Sequence, residues 1–194
     1  AFGCFTHHRQ AFAIRAERAT DVVARESLLD ACFGPDRFAR TCQRIRDGRL
    51  PASGLAFTAV RHGRLVGTVR LWHVCAGGRR SLVLGPLAVD PELRTLGIGA
   101  ALMNHAITAA RKLGHGSIIL LGDAPYYERF GFHAGFGAGA LGEVALDLDR
   151  GPGQHLGIGL QGGDAGGGAL ELVEGALHRP AHGLEVLVAQ LEHW

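Results

Sequence analysis

The stretch VDPELRTLGIGAALMNHAITAARKLGHG, residues Val89 to Gly116, constrains the fold more tightly than any other part of the chain. An apolar run ends at AVDP and Arg94 follows. Gly97 and Gly99 then open a segment in which Ile98, Leu102, Ala106, Ala109 and Leu113 recur at helical spacing. Arg111 and Lys112 lie in its last turn, where cations suit the helix dipole, and Gly114 is the expected stop. Paired glycines at such a turn either shape it and do nothing more, or let a ligand approach the backbone closely. A helix start carries unpartnered N–H groups and the positive end of the dipole, so the natural guest is an anion such as a pyrophosphate. A dinucleotide site needs G-x-G-x-x-G after the first strand and an acidic residue after the second. Leu102 stands where the third glycine belongs, although Asp123 does follow the next apolar run. Three strand-like runs precede the turn, which does not suit the first unit of a doubly wound sheet.

Upstream, Phe12 to Arg15 reads as a short strand. A helix opened by Thr20 or Asp21 follows, with Val22, Val23, Leu28, Leu29 and Ala31 on its apolar face and Gly34-Pro35 at its end. DRFARTCQRIRDG reads as a second short helix, with Asp36 as N-cap and Phe38, Cys42 and Ile45 on one side. LAFTAVRHGRLVGTVRLWHV and SLVLGPLAVDP supply three antiparallel strands, with turns at His62-Gly63 and Gly77-Gly78. Gly85-Pro86 interrupts the third, because proline donates nothing to a ladder; a bulge or an exposed edge is expected there. Downstream, SIILLGD reads as a short buried strand, APYYERFGF as one helical turn and a strand start, and EVALDLD as a later strand. From residue 151 the composition shifts: nine of the residues in GPGQHLGIGLQGGDAGGG are glycine, which reads as a flexible link or irregular loop. ALELVEGAL and LEVLVAQLEHW are apolar pieces of undecided type.

At 194 residues there is room for one well-filled core, or a core with an appendage, rather than two domains. The net charge of +2 comes with 19 arginines and the single Lys112, without a concentrated basic face, so no nucleic-acid partner is expected. The four cysteines (Cys4, Cys32, Cys42, Cys75) form no CxxC pair and read as thiols in a reducing compartment, with a Cys32–Cys42 disulfide left open. Among eleven histidines only His7-His8 are adjacent and none falls in HExxH, so no metal is expected. No apolar run approaches the ~18 residues of a membrane span. Arg9 and Arg15 interrupt any secretion-signal core, and an initial Ala in place of Met points to a processed or engineered start; a cytoplasmic protein away from membranes is the expectation.

LGPLAVDPELRTLGIGAALMNHAITAARKLGH followed by YYERFGF resembles the GNAT N-acetyltransferase superfamily, most of all its YhbS-like bacterial branch. The family's acetyl-CoA motif is Arg or Gln, two residues, Gly, one residue, then Gly or Ala. Arg94, Gly97 and Gly99 match it. The resemblance runs roughly from Ile14 to Asp149 in the element order β-α-α-β-β-β-α-β-α-β and fades in the glycine-rich tail. It implies an α/β (α+β) GNAT acyl-CoA N-acyltransferase fold: a mixed, mostly antiparallel sheet with a splayed central strand pair, flanked by helices. Residues 1–150 would form that domain and 151–194 an extension packing on or next to it.

The resemblance also implies acetyl-CoA as co-substrate. Arg94, Thr95, Leu96, Gly97, Ile98, Gly99 and Ala100 would grip the pyrophosphate. The backbone of Leu87, Ala88 and Val89 would pair with the pantetheine arm like an added strand, and an N–H near Val89 would serve as oxyanion donor. Tyr127, just before ERFGF, would be the acid that protonates the leaving thiolate, with Tyr126 as aromatic packing. The acceptor would be a small-molecule or peptide amine, attacking directly in a ternary complex. The base is unassigned: Asp123, Glu92 and His73 stand near strand ends, each first a turn cap or surface group. Members often carry a glycine and a basic residue before the first motif glycine and another basic residue after the last. Here those places hold Thr95, Leu96 and Ala100, so cationic help is thinner, and Asp123 stands where many relatives have Asn. Two other classes share these residues, a non-catalytic acyl-CoA-binding regulatory module and a dinucleotide-binding oxidoreductase. The tail is left with three uses: a lid, packing on the sheet, or a homodimer contact.

Overall fold

Alternating aliphatic and polar residues between tight turns form hairpins, and the centre of the sheet is built that way. The computed structural model describes residues 12–39, 43, 46, 48–76, 79–133, 146–147 and 185–191. In it, strands β2 (Ala56–Arg61), β3 (Arg64–Ala76) and β4 (Arg79–Val89) run antiparallel. The β2–β3 turn puts His62 at φ 49° and Gly63 at φ 76°, the double positive φ of a two-residue hairpin turn, and Arg61 pairs with Arg64. β1 (Ala13–Ala16) adds antiparallel to β2. Helix α2 (Ile98–Lys112) carries the chain from β4 to β5 (Ser117–Gly122), its parallel neighbour. A short turn α3 (Ala124–Tyr127) follows, then β6 (Leu146–Asp147) and β7 (Glu185–Gln190). The seven-stranded sheet is ordered β1-β2-β3-β4-β5-β7, with β6 on the far end of β3. Within LEVLVAQLEHW, the piece Glu185–Gln190 is thus a strand, antiparallel to β5.

Helix α1 (Val22–Phe33) and α2 cover opposite faces. Side chains alternate along a strand, so Ala88 packs under Leu28 and Leu29 of α1, while Leu87 and Val89 face the core beneath α2. That larger core joins Ile98, Leu102, Met103 and Ala106 to Phe57, Val66, Val69 and Leu71. The expected α2 stripe is present except for Leu113, which is 54% exposed at the helix end. On α1 the buried stripe differs from the expected one: Val22 and Val23 face solvent, at 43% and 79% exposure, and Arg25 is buried with Leu28 and Leu29.

Arg25 can be buried because its charge is answered. Glu17 accepts from Arg25 Nη1 at 2.6 Å, from Arg70 Nε at 2.7 Å, and from Arg70 Nη2. Glu26 accepts from Arg25 and from Arg37, and Arg37 also reaches Asp30 at 2.6 Å. Three carboxylates and three guanidiniums therefore tie α1 to β3.

The second expected helix is represented by a 3-10 turn over Pro35–Ala39, in which Phe38 is exposed. Cys42 and Ile45 lie outside the described residues, as do Cys4, His7-His8, Gly77-Gly78, ALELVEGAL and the glycine-rich stretch. Cys32 is a free thiol. Among the described residues no helix is long and apolar enough to cross a membrane.

Candidate active site

The Gly85-Pro86 interruption is a bulge: Val69 pairs with Leu87 and Leu71 with Leu84, so two residues of β4 oppose Arg70 alone. Trp72 Nε1 donates to Gly85 O at 2.6 Å and pins it. Just before the bulge, β4 and β5 are in register only at Leu82–Ile118 and Val83–Ile119. From there to Val89, β4 keeps its ladder to β3 and has no strand on its other side among the described residues. The sheet is open at its middle.

A cleft of about 410 Å³ occupies this opening. Leu87, Ala88 and Val89 form one wall. Arg94, Thr95, Gly97, Gly99 and Ala100 form the second, at the start of α2. Gly97 sits at φ 72°, the left-handed conformation that a side chain disfavours, and offers the helix no side-chain cap. The helical ladder starts with Ala101 N donating to Gly97 O at 3.0 Å, so the amides of Ile98, Gly99 and Ala100 precede it. The side chains of Ile98 and Leu96 stay out of the cleft: Ile98 is fully buried in the core and Leu96 is exposed.

The third wall is the YYER turn, Tyr126, Tyr127 and Arg129. Tyr127 lies against Gly122, where a Cβ would come 2.2 Å from its ring, and packs edge-on to buried Phe132 at 6.2 Å. Burial pushes its phenol up to about 12, aided by Tyr126 and Asp123. Its hydroxyl has no hydrogen-bond partner among the described residues. Tyr126, expected as packing, also lines the cleft, and its hydroxyl lies 3.1 Å from where a Cβ on Gly99 would sit. Cys32 and Phe33 approach from α1, and Cys32 Sγ donates to Val89 O at 3.3 Å. Burial pushes the Cys32 thiol up, against the pull of Arg94.

Cys32, Phe33 and Arg129 are the lining residues that the sequence reading did not single out. The signal for Arg129 was there, as the basic residue in YYER. Of the possible bases, Asp123, Glu92 and His73 are exposed and none lines the cleft. His73 lies instead against His115, with ring centroids 5.3 Å apart and planes tilted by 46°. Among the described residues, no group of three or more His, Cys, Asp or Glu gathers as a metal site.

The antiparallel meander ahead of the glycine turn differs from a doubly wound dinucleotide fold, whose turn follows the first strand of a parallel sheet. Known proteins agree with the other reading. The acetyltransferase (GNAT) domain profile matches residues 52–134, a span holding the whole cleft except its α1 residues. The uncharacterised N-acetyltransferase YhbS of Escherichia coli K12 is 30% identical over 121 residues, 61% of this chain and 72% of the relative. A GNAT family acetyltransferase from Brucella melitensis, solved in complex with acetyl-CoA, overlays with TM-score 0.55 and 30% identity, covering 64% of this chain and 84% of that one. The E. coli YhbS structure, solved with CoA, overlays with TM-score 0.62 across 94% of this chain and 82% of its own; over that longer span identity falls to 21%. With a relative 30% identical over 72% of its length and a matching domain profile across the cleft, the chain belongs to the GNAT family of N-acetyltransferases.

Proposed function

We propose that this acyltransferase moves the acetyl group of acetyl-CoA to a primary amine by direct attack within a ternary complex. One observation carries the reading: among the described residues, the cleft has a glycine turn with free helix-start amides at one end, a strand edge without a neighbour along its wall, a protonated phenol in its third side and no carboxylate in its lining. The amides at Gly97, Ile98, Gly99 and Ala100, with Arg94 beside them and Thr95 and Leu96 shaping the approach, hold the pyrophosphate. The backbone of Leu87, Ala88 and Val89 takes the amides of the pantetheine arm as a strand takes a neighbour. Val89 O accepts from the Cys32 thiol, a weak donor that an amide displaces readily. In this reading residues 1–150 carry the transferase and the segment from 151 onward is an extension of the same unit, supported by the position of β7 on β5.

Attack by the amine on the thioester carbonyl forms the C–N bond, and collapse breaks the C–S bond. The thiolate then needs a proton, which Tyr127 supplies; the nitrogen, positively charged once the C–N bond has formed, releases one to a water path or to bulk solvent, and the tyrosinate recovers its proton from the same source. Tyr127 suits this because it holds its proton to about pH 12. An acid works while protonated, so Tyr127 imposes no falling limb through pH 10. An alkyl ammonium titrates near ~10.4, so kcat/KM should climb with pH across that range. A decline with an apparent pKa of about 8–9 would remove Tyr127 from the acid role.

The direct test is calorimetric titration with acetyl-CoA and, in parallel, NADH. The expected result is micromolar binding of acetyl-CoA and none of NADH, followed by thiol release in an amine screen. Absence of acetyl-CoA binding overturns the proposal; binding with no turnover on any amine leaves the non-catalytic module in its place.

A further inference from the structure

We infer that Arg129, held flat on Tyr126, is a second phosphate-binding cation that faces the glycine turn from the opposite side of the cleft. This rests on the acetyl-CoA reading above and adds a residue that the glycine-turn motif does not contain. The turn itself is short of positive charge: Arg94 is its one basic side chain, because Thr95, Leu96 and Ala100 are neutral. The YYER turn makes up the deficit across the opening. Arg129 lines the same cleft, with its guanidinium carbon 4.0 Å from the Tyr126 ring centroid and 4.8 Å from that of Phe130. Tyr126 in turn reaches across until its hydroxyl lies against Gly99. The pair therefore reaches from the YYER turn to the helix start, with the guanidinium over the ring whose hydroxyl meets Gly99.

Two features make this a binding arrangement rather than a surface charge. Arg15, Arg25, Arg37, Arg64 and Arg70 each have a carboxylate within 2.8 Å, whereas Arg129 has none among the described residues. Stacking on an aromatic face also leaves the edge of the guanidinium open, and fixes it in advance, so that little side-chain freedom is lost when a phosphoryl oxygen is bound. Coenzyme A offers phosphoryl oxygens in its pyrophosphate and in its 3′-phosphate. The chemistry is the same for both, and the two are separable by ligand.

The experiment titrates the wild-type chain, Arg129→Gln and Arg129→Lys with CoA and with 3′-dephospho-CoA. Removing one charge-assisted hydrogen bond to a ligand weakens binding roughly tenfold. Arg129→Gln is expected to bind CoA about tenfold more weakly, with KM for acetyl-CoA rising in step and saturated kcat unchanged. Lysine should restore part of the loss. A defect seen with CoA alone assigns Arg129 to the 3′-phosphate, and an equal defect with both ligands assigns it to the pyrophosphate. Because Arg129 is exposed, melting temperatures should match. Affinities of Arg129→Gln within twofold of wild type for both ligands overturn the inference while leaving the acetyl-CoA reading intact. Failure of wild type to bind either ligand overturns both.

Discussion

Replacing Tyr127 by Phe should lower kcat by about a hundredfold to a thousandfold and leave the affinity for acetyl-CoA within about twofold. The substitution removes one oxygen and little else. The ring keeps its seat against Gly122 and Phe132, because carbon atoms do the packing there. The hydroxyl has no protein partner among the described residues, so its loss strands no donor or acceptor there. On the mechanism proposed above, what disappears is the proton source for the leaving sulfur. Without it, the thiolate departs with no proton donor held beside it. Rate measured at saturating acetyl-CoA, with binding measured separately, decides the matter. A change in kcat below about threefold would mean that water protonates the sulfur and that Tyr127 only packs.

Glu17→Ala should cost about 3 kcal/mol of stability, which for a chain of this size lowers the melting temperature by roughly 6–12 °C. The carboxylate stands between Arg25 and Arg70, with side-chain exposures of 9% for Glu17, 8% for Arg25 and 16% for Arg70. Truncation leaves two guanidiniums facing one another beneath α1 with one fewer anion between them. Arg25 retains Glu26, and that ion pair limits the damage. Glu17→Gln keeps an acceptor without the charge and should fall between the two. Thermal and denaturant unfolding of the three proteins provide the check; a loss under about 0.5 kcal/mol for the alanine variant would show that the network is neutral to stability.

Much of this was legible along the chain because the signals are local. Glycines at a helix start, an apolar recurrence of 3.6 residues and a two-residue hairpin turn are written in consecutive residues, and α2, β2, β3 and the turn at Gly97 follow from them. The buried face of α1 was not legible for a matching reason. Val22 and Val23 look like core residues and Arg25 does not, but burial of a charge depends on its partners, and Glu17 is also held by Arg70 from a distant strand. Arg129 shows the same limit at the site. Its charge is visible in YYER, whereas its place opposite Gly97 and Gly99 depends on how β5 and α3 return to α2. Gly85-Pro86 announced a bulge, but the parting of β4 from β5 is a property of two strands joined through a helix.

The closing of β5 by β7 has a consequence for how the protein is made. Each residue assigned to binding or proton transfer precedes His133, while the strand along the outer side of β5 begins at Glu185. At synthesis rates of about 5–20 residues per second, the growing polypeptide holds its complete chemical toolkit for several seconds before that strand is translated. During this interval Ile118, Ile119 and Leu120 present an apolar ribbon with unmet backbone groups, the kind of template on which neighbouring nascent chains pair. The danger at birth is therefore association between copies on a polysome, and chaperone demand should concentrate in the last part of translation.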